Sequence, residues 1–218
     1  MLIEKDGIKI SFGRAVGHIL EDLIGSAKQR VYVISPWLSP KYANLLLQKK
    51  EKGCDVFLIT TNDFSNKQHA SSLQLLLDKT KEEPKFRKYW KFSAILAFLF
   101  LFFSIFSILF LFLSLSFFIF SFYLFLQKEK VTFSFKIPMI VYDKDNDFTH
   151  SKLYILDNVA ILSSANFTES GLWRNIEEIV IFSDEKIVNE IVGIFERTKE
   201  NELIKHIPPD EIGEKVEE

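Results

Sequence analysis

Between residues 147 and 178 the chain reads DFTHSKLYILDNVAILSSANFTESGLWRNIEE, a run that crowds a histidine, a lysine, small hydroxyl residues, asparagines and carboxylates onto predicted strand ends and turns. The period of two over residues 150–157 predicts a strand with His150, Lys152 and Tyr154 on one face and Ser151, Leu153 and Ile155 on the other. Imidazole and ammonium then point the same way. An unpaired lysine on an apolar strand is costly to bury, so the pair must face solvent or an anion, and a phosphate satisfies both. Ser164 and Asn166 fall where the strand VAIL gives way to a turn, and their side chains can donate to that anion. Glu177, beyond the turn ESGLWRN, can accept a ring N–H from a histidine, which fixes the tautomer and leaves the other nitrogen free to attack. A His-x-Lys pair alone is more often structural.

The elements that must position these residues follow from periodicity. GIKISF predicts a strand, RAVGHILEDLIGSAK a helix with Val16, Ile19, Leu20, Leu23 and Ile24 on its apolar face, and RVYVIS a strand stopped by the prolines of SPWLSP. KYANLLLQKKEKG reads as a helix ended by glycine, CDVFLITTND as a buried strand, and NKQHASSLQLLLDKTKEE as a further helix. VTFSFKIPMIVYD, HSKLYILD, VAILSSA and EEIVIFS supply strands, and DEKIVNEIVGIFERTKEN an amphipathic helix. This β-α-β rhythm predicts an α/β fold, a mixed and mostly parallel sheet flanked by helices. The acidic segment 201–218 reads as a loosely ordered tail.

One segment departs from the rest. Residues 92–126 run without charge, glycine or proline and carry phenylalanine at thirteen positions. A single helix of that length would be about 52 Å long, against a hydrocarbon core of about 30 Å. Two helices of about 16–17 residues fit at the lower limit for spanning. Lysines and arginines flank both ends (Lys79, Lys81, Lys85, Arg87, Lys88 and Lys91 before, Lys128, Lys130 and Lys136 after), which places both flanks on the cytoplasmic side and favours a transmembrane hairpin turning near residues 104–109. The competing reading is a buried or re-entrant segment. Four parts result: 1–91, the insert 92–126, 127–200 with the polar cluster, and the tail.

Composition sets further bounds. A formal charge of −2 lacks the basic excess of a dedicated nucleic-acid binder, and removing residues 201–218 leaves the remainder slightly basic. The one cysteine, Cys54, excludes an intramolecular disulfide and reads as a small buried hydrophobe. The N-terminal residues lack a basic-then-apolar pattern, so no cleaved secretion is expected.

His150, Lys152 and Asp157 have the spacing HxKxxxxD, and SSAN (163–166) and NIE (175–177) follow in order; the stretch closely resembles the phospholipase D superfamily. Ser163 stands where that family usually has glycine. The resemblance is close from Val131 to about Lys199 and looser over the first sixty residues. It implies phosphodiester cleavage in two steps, without metal or other cofactor. His150 would be the nucleophile, Lys152, Ser164 and Asn166 would hold the non-bridging oxygens, Glu177 would orient a histidine, and Asp157 would support the motif structurally. The family's site needs two motifs, and His18, His69 and His206 each lack a lysine two residues on. A homodimer sharing one site is therefore implied. His18 and His69 read as surface or half-buried helix residues. The resemblance favours, narrowly, a membrane-anchored nuclease over a phospholipid hydrolase or phosphatidyl transferase, with an inactive scaffold of the same fold as the third possibility.

Overall fold

The computed structural model describes residues 2–5, 7–106, 108–146, 148–201 and 205–217. The chain forms two compact units, Met1–Asp78 with Phe133–Glu218, and Lys79–Thr132.

The first unit is built on an eight-stranded sheet. Its strands are β1 (Leu2–Lys5), β2 (Ile8–Gly13), β3 (Arg30–Ile34), β4 (Asp55–Thr61), β7 (Met139–Tyr142), β8 (Leu153–Leu156), β9 (Val159–Ser163) and β10 (Glu177–Phe182). Two shorter strands, β5 (Leu77–Glu82) and β6 (Lys130–Phe135), pair with each other in a separate ribbon. The order across the large sheet is β1-β2-β10-β9-β8-β3-β4-β7. Only β3 with β4 and β4 with β7 run parallel; the other pairs are antiparallel. The expected mostly parallel sheet is thus corrected to a mostly antiparallel one. The reason lies in connection length: β8 and β9 are joined by Asp157 and Asn158 alone, and so short a link can only turn the chain back on itself.

The sheet buries both faces by alternation. Val31, Val33, Val56, Leu58, Tyr154 and Leu156 enter the larger core, together with residues of helices α1 (Gly17–Ser26), α2 (Pro40–Glu51) and α3 (Lys67–Leu76). Tyr32, Ile34, Ile59 and Ile155 point the other way, onto Phe195 of α6 (Glu185–Lys199), whose ring stacks on Tyr32 with centroids 4.8 Å apart. Cys54 is buried, as expected.

Two further expectations change. The helix predicted over 66–83 ends at Leu76, and β5 follows, because β6 supplies a partner strand that sequence spacing cannot reveal. The acidic tail is not loose over 209–217: it forms a last helix, α7 (Pro209–Glu217), with Ile212 wholly buried in the larger core. Asp210 accepts the Phe133 backbone N–H at 2.6 Å, and Gly213 faces the Phe133 ring so closely that an added Cβ would lie 2.3 Å from it. The apolar spacing Ile207, Ile212, Val216 outweighs the acidic composition. Residues 202–204 and 218 of that tail lie outside the described residues.

The second unit is an antiparallel helical hairpin, α4 (Trp90–Phe103) and α5 (Ile108–Leu126), preceded by a single 3₁₀ turn at Arg87–Tyr89. Its turn falls within the expected 104–109, of which Ser107 is outside the described residues. Serines join the helices: Ser114 Oγ donates to Ala97 O (2.9 Å), Ser121 Oγ to Trp90 O (2.8 Å) and Ser93 Oγ to Phe117 O (3.1 Å). Phenylalanines cover the outside, Phe98, Phe102, Phe112 and Phe122 being each more than half exposed. The helices have 14 and 19 residues rather than two near-equal lengths, and among the described residues α5 alone is long and apolar enough to cross a membrane.

Candidate active site

Strand register brings the polar cluster to one end of the large sheet. Ile34 pairs with Leu153, Leu153 with Leu162, Ser163 with Ile179, and Glu177 with Gly13. The ends of β3 and β9 and the starts of β8 and β10 therefore meet along one rim. His150 and Lys152 lie just before β8 rather than within it, which corrects the expectation that they share a strand face with Tyr154.

The two motif residues differ in exposure. His150 is exposed; its ring meets Trp37 edge-on (centroids 6.2 Å) and Phe148 at a tilt (5.9 Å), and Trp37 and Phe148 also touch (5.8 Å). Lys152 is 6% exposed, and its Nζ donates to the His150 carbonyl at 2.7 Å. Burial lowers the lysine's pKa, and the carboxylate of Glu177 pulls it partly back. Among the described residues the cation is thus held by a single backbone oxygen with a carboxylate in its field, which leaves two N–H donors for an anion.

The β9–β10 connection supplies the rest. The Ser164 hydroxyl donates to Glu177 and accepts the Glu178 N–H at 3.0 Å, while Asn175 Nδ2 donates to the other Glu177 oxygen at 3.1 Å. Glu177 is therefore clamped from two sides, and a Ser164 hydroxyl that served a phosphate would have to leave it. Asn166 is fixed by its surroundings rather than its own amide. Phe167 N donates to Ser35 Oγ (3.0 Å), Ser39 N donates to Phe167 O (3.1 Å), and the Tyr154 hydroxyl donates to Ala165 O (3.0 Å). The Phe167 ring stacks on Tyr42 at 4.5 Å in the core. Asn166 Oδ1 is buried without a hydrogen-bond partner among the described residues, a condition that ordinarily costs about 1–3 kcal/mol and marks a group awaiting one. Trp173, by contrast, is more than a third exposed, with its indole N–H donating to Glu21 (2.9 Å).

Asp157 stands at the opposite end of β8. Its carboxylate accepts the backbone N–H groups of Lys28 (2.9 Å), Gln29 (2.8 Å) and Arg30 (2.8 Å). Partial burial opposes its ionisation, but these three donors outweigh it and hold the carboxyl below its ordinary value. Asp157 also has φ +50°, the left-handed conformation that a two-residue turn requires and that aspartate tolerates.

Sequence reasoning missed three contributors, Trp37, Asp63 and Lys144. Trp37 Nε1 donates to Asp63 (2.9 Å), and Asp63 also receives Lys144 Nζ (3.1 Å). Burial opposes the Asp63 charge, yet its bonds from Ser65, Trp37 and Lys144 drive its pKa far below the usual carboxylate range. The available signal was positional: Trp37, Asp63 and Lys144 each follow the carboxyl end of a strand (β3, β4 and β7) on the rim that carries His150. His69 is not a surface or half-buried residue but fully buried; its Nδ1 accepts Leu38 N (3.1 Å) and its Nε2–H donates to Thr61 O (2.7 Å), which ties the Trp37 loop to β4. His18 is exposed, and its ring bonds to Ala15 O at 2.5 Å. Among the described residues no three or more His, Cys, Asp or Glu converge as metal ligands would.

Residues 124–199 match a family model described as cardiolipin synthase, PLD-like domain, a span that contains the entire polar cluster. No curated protein matches the chain significantly. Among solved structures the fold is similar to a phospholipase D family member, Nuc, from Salmonella typhimurium (14% identity, TM-score 0.53, 92% of this chain and 99% of that one). It is also similar to NucT from Helicobacter pylori (14% identity, TM-score 0.50, the same coverage). The motif residues gathered on one rim thus lie within the span that matches the PLD-like domain model, on a sheet whose fold is similar to that of these two structures.

Proposed function

We propose that the chain is a membrane-anchored phosphodiesterase that works through a phosphohistidine, with nucleic acid as its favoured substrate. The observation that carries this reading is the rim itself: an exposed imidazole, a buried ammonium with spare donors, and an asparagine whose buried oxygen lacks a partner. His150 attacks phosphorus and the P–O bond to the leaving group breaks, with the proton for that oxygen coming from the imidazole of a second copy's His150. That imidazole then takes a proton from water, whose oxygen displaces His150 and breaks the P–N bond. Lys152 and Asn166 stabilise charge on the non-bridging oxygens, with Ser164 joining if it releases Glu177. Glu177 orients a histidine, and Asp157 supports the motif from the far end of β8. The homodimer follows from the single motif. The apolar hairpin supports membrane anchoring, with the catalytic unit on the cytoplasmic side.

A second reading, a phospholipid hydrolase or phosphatidyl transferase, is favoured by the hairpin, which would bring the chain to its substrate. Purified wild type and His150→Ala, each assayed in chelator on labelled single-stranded DNA, RNA and phospholipid vesicles, separate the possibilities. The expected result is nucleic-acid cleavage by wild type and a loss of about 10²–10⁴-fold in the variant. Turnover of lipid alone would reverse the order of substrates, equal turnover by His150→Ala would remove the phosphohistidine, and no turnover of any substrate by wild type would leave a scaffold.

A further inference from the structure

The charge of the chain is divided between its two units. Residues 79–132 hold eight lysines and arginines against three glutamates, a formal +5, so the remainder carries −7 of the total −2. Within the hairpin unit every charge lies in 79–91 or 127–132, at the open end of the two helices. Lys88 lies over the Tyr89 ring (5.1 Å) and Lys91 over Trp90 (5.8 Å), pairing cations with the aromatic types that favour the headgroup layer. The closed end is opposite in character. Ile105 and Phe106 are 80% and 76% exposed and no charged residue stands in the connection. Its described backbone is bonded internally, Ser104 N to Leu101 O (3.2 Å) and Phe106 N to Phe103 O (3.0 Å), and Ser104 Oγ donates to Leu101 O (2.6 Å).

From these features, and resting on the membrane-anchoring reading above, we infer that the hairpin is a re-entrant wedge. It enters a bilayer rich in anionic phospholipid from one face, is held there by its basic collar, and ends inside the hydrocarbon. Length argues against crossing. The 14 residues of α4 span about 21 Å, some 9 Å short of the hydrocarbon thickness. A tip that reached the far surface would draw Lys91 into hydrocarbon and set Ile105 and Phe106 bare in water. A tip that stops short keeps the collar among headgroups and the tip in lipid, and the internal bonds of Ser104 N and Phe106 N reduce the unpaired backbone carried into hydrocarbon.

The test uses the full chain with buried Cys54 as its only native thiol. Single variants Lys85→Cys, Ile105→Cys and Phe106→Cys are expressed in cells and probed with a membrane-impermeant maleimide in intact cells, in inverted vesicles and after detergent. Position 85 should react from one side only, and 105 and 106 from neither side until detergent is added. Reaction of 105 or 106 from the side opposite to 85 overturns the wedge in favour of a spanning hairpin while leaving membrane anchoring intact. Recovery of the chain in the soluble fraction, with 105 reactive there, overturns both. In parallel, the triple variant Lys85→Glu, Lys88→Glu, Lys91→Glu should bind vesicles of phosphatidylcholine with phosphatidylserine at least tenfold more weakly than wild type, because each lost cation removes attraction to the anionic surface. Equal binding to phosphatidylcholine alone by both proteins, with no gain from phosphatidylserine, overturns the anionic-lipid requirement.

Discussion

At the scale of single residues, the proposed mechanism divides the cluster around His150 into groups that meet substrate and groups that hold them. Trp37 belongs to the second kind, since its ring edge abuts the imidazole and its N–H is anchored on Asp63. Trp37→Phe and Asp63→Asn should each lower kcat several-fold with KM little changed, because they loosen the orientation of His150 without touching the phosphate clamp. On the proposed mechanism Lys152 sets the alkaline limit. Its folded pKa is depressed, so the ammonium that clamps phosphate is lost at a lower pH than an ordinary lysine would allow, and activity should fall early on the alkaline side. Lys152→Arg, which stays charged, should extend whatever activity remains to higher pH; an unchanged alkaline limb would exclude Lys152 as the titrating group. Asp157 acts on stability instead. Asp157→Ala should cost about 2–4 kcal/mol through three lost acceptor bonds, a fall in Tm of roughly 5–15 °C by calorimetry. Because its folded pKa lies below the unfolded one, that contribution is complete above about pH 4 and disappears as pH falls through the depressed value, so wild type and variant should converge in acid. The spacing of His150, Lys152 and Asp157 was legible in sequence because it is local. Trp37 and His69 were not, because both acquire their roles from strands distant along the chain.

At the scale of elements, the site is assembled by the meander β8-β9-β10. Asn166 rides on the turn between β9 and β10, and the next turn, a single wide helical turn at Ser170–Arg174, packs so closely that a Cβ on Gly171 would come 2.6 Å from the Asn166 carbonyl oxygen. Backbone cannot yield as a flexible side chain can. Gly171→Ala should therefore displace Asn166 and cut activity by tenfold or more while the circular dichroism spectrum stays native; full activity would show that Asn166 needs no such placement. Helices and strands of this unit were largely readable from periodicity, as with α6 and β3. Strand direction was not: a β-α-β rhythm reads as parallel, whereas the two-residue Asp157–Asn158 link forces the antiparallel meander. β5 was hidden for a related reason, since its residues LDKTKE continue a helical pattern and become a strand only where β6 pairs with them.

At the scale of the whole molecule, the proposed mechanism with one motif per chain makes assembly a condition of chemistry. If both histidines of a shared site are needed, mixing wild type with an equal amount of His150→Ala under exchange should leave about a quarter of the activity, the square of the wild-type fraction, whereas independent chains would leave about half. Kinetics of mixed samples read this directly.

The β5–β6 ribbon carries one more consequence. Because these two strands pair with each other and not with the eight-stranded sheet, the chain departs and returns at neighbouring points, and the loop they close is entropically insensitive to its length. Residues 83–129 are in this sense a detachable cassette. A chain in which a short flexible linker replaces them should fold around an unaltered sheet, its circular dichroism differing from the full chain only by the lost helices, so that the proposed anchor and the proposed site could be changed independently of each other.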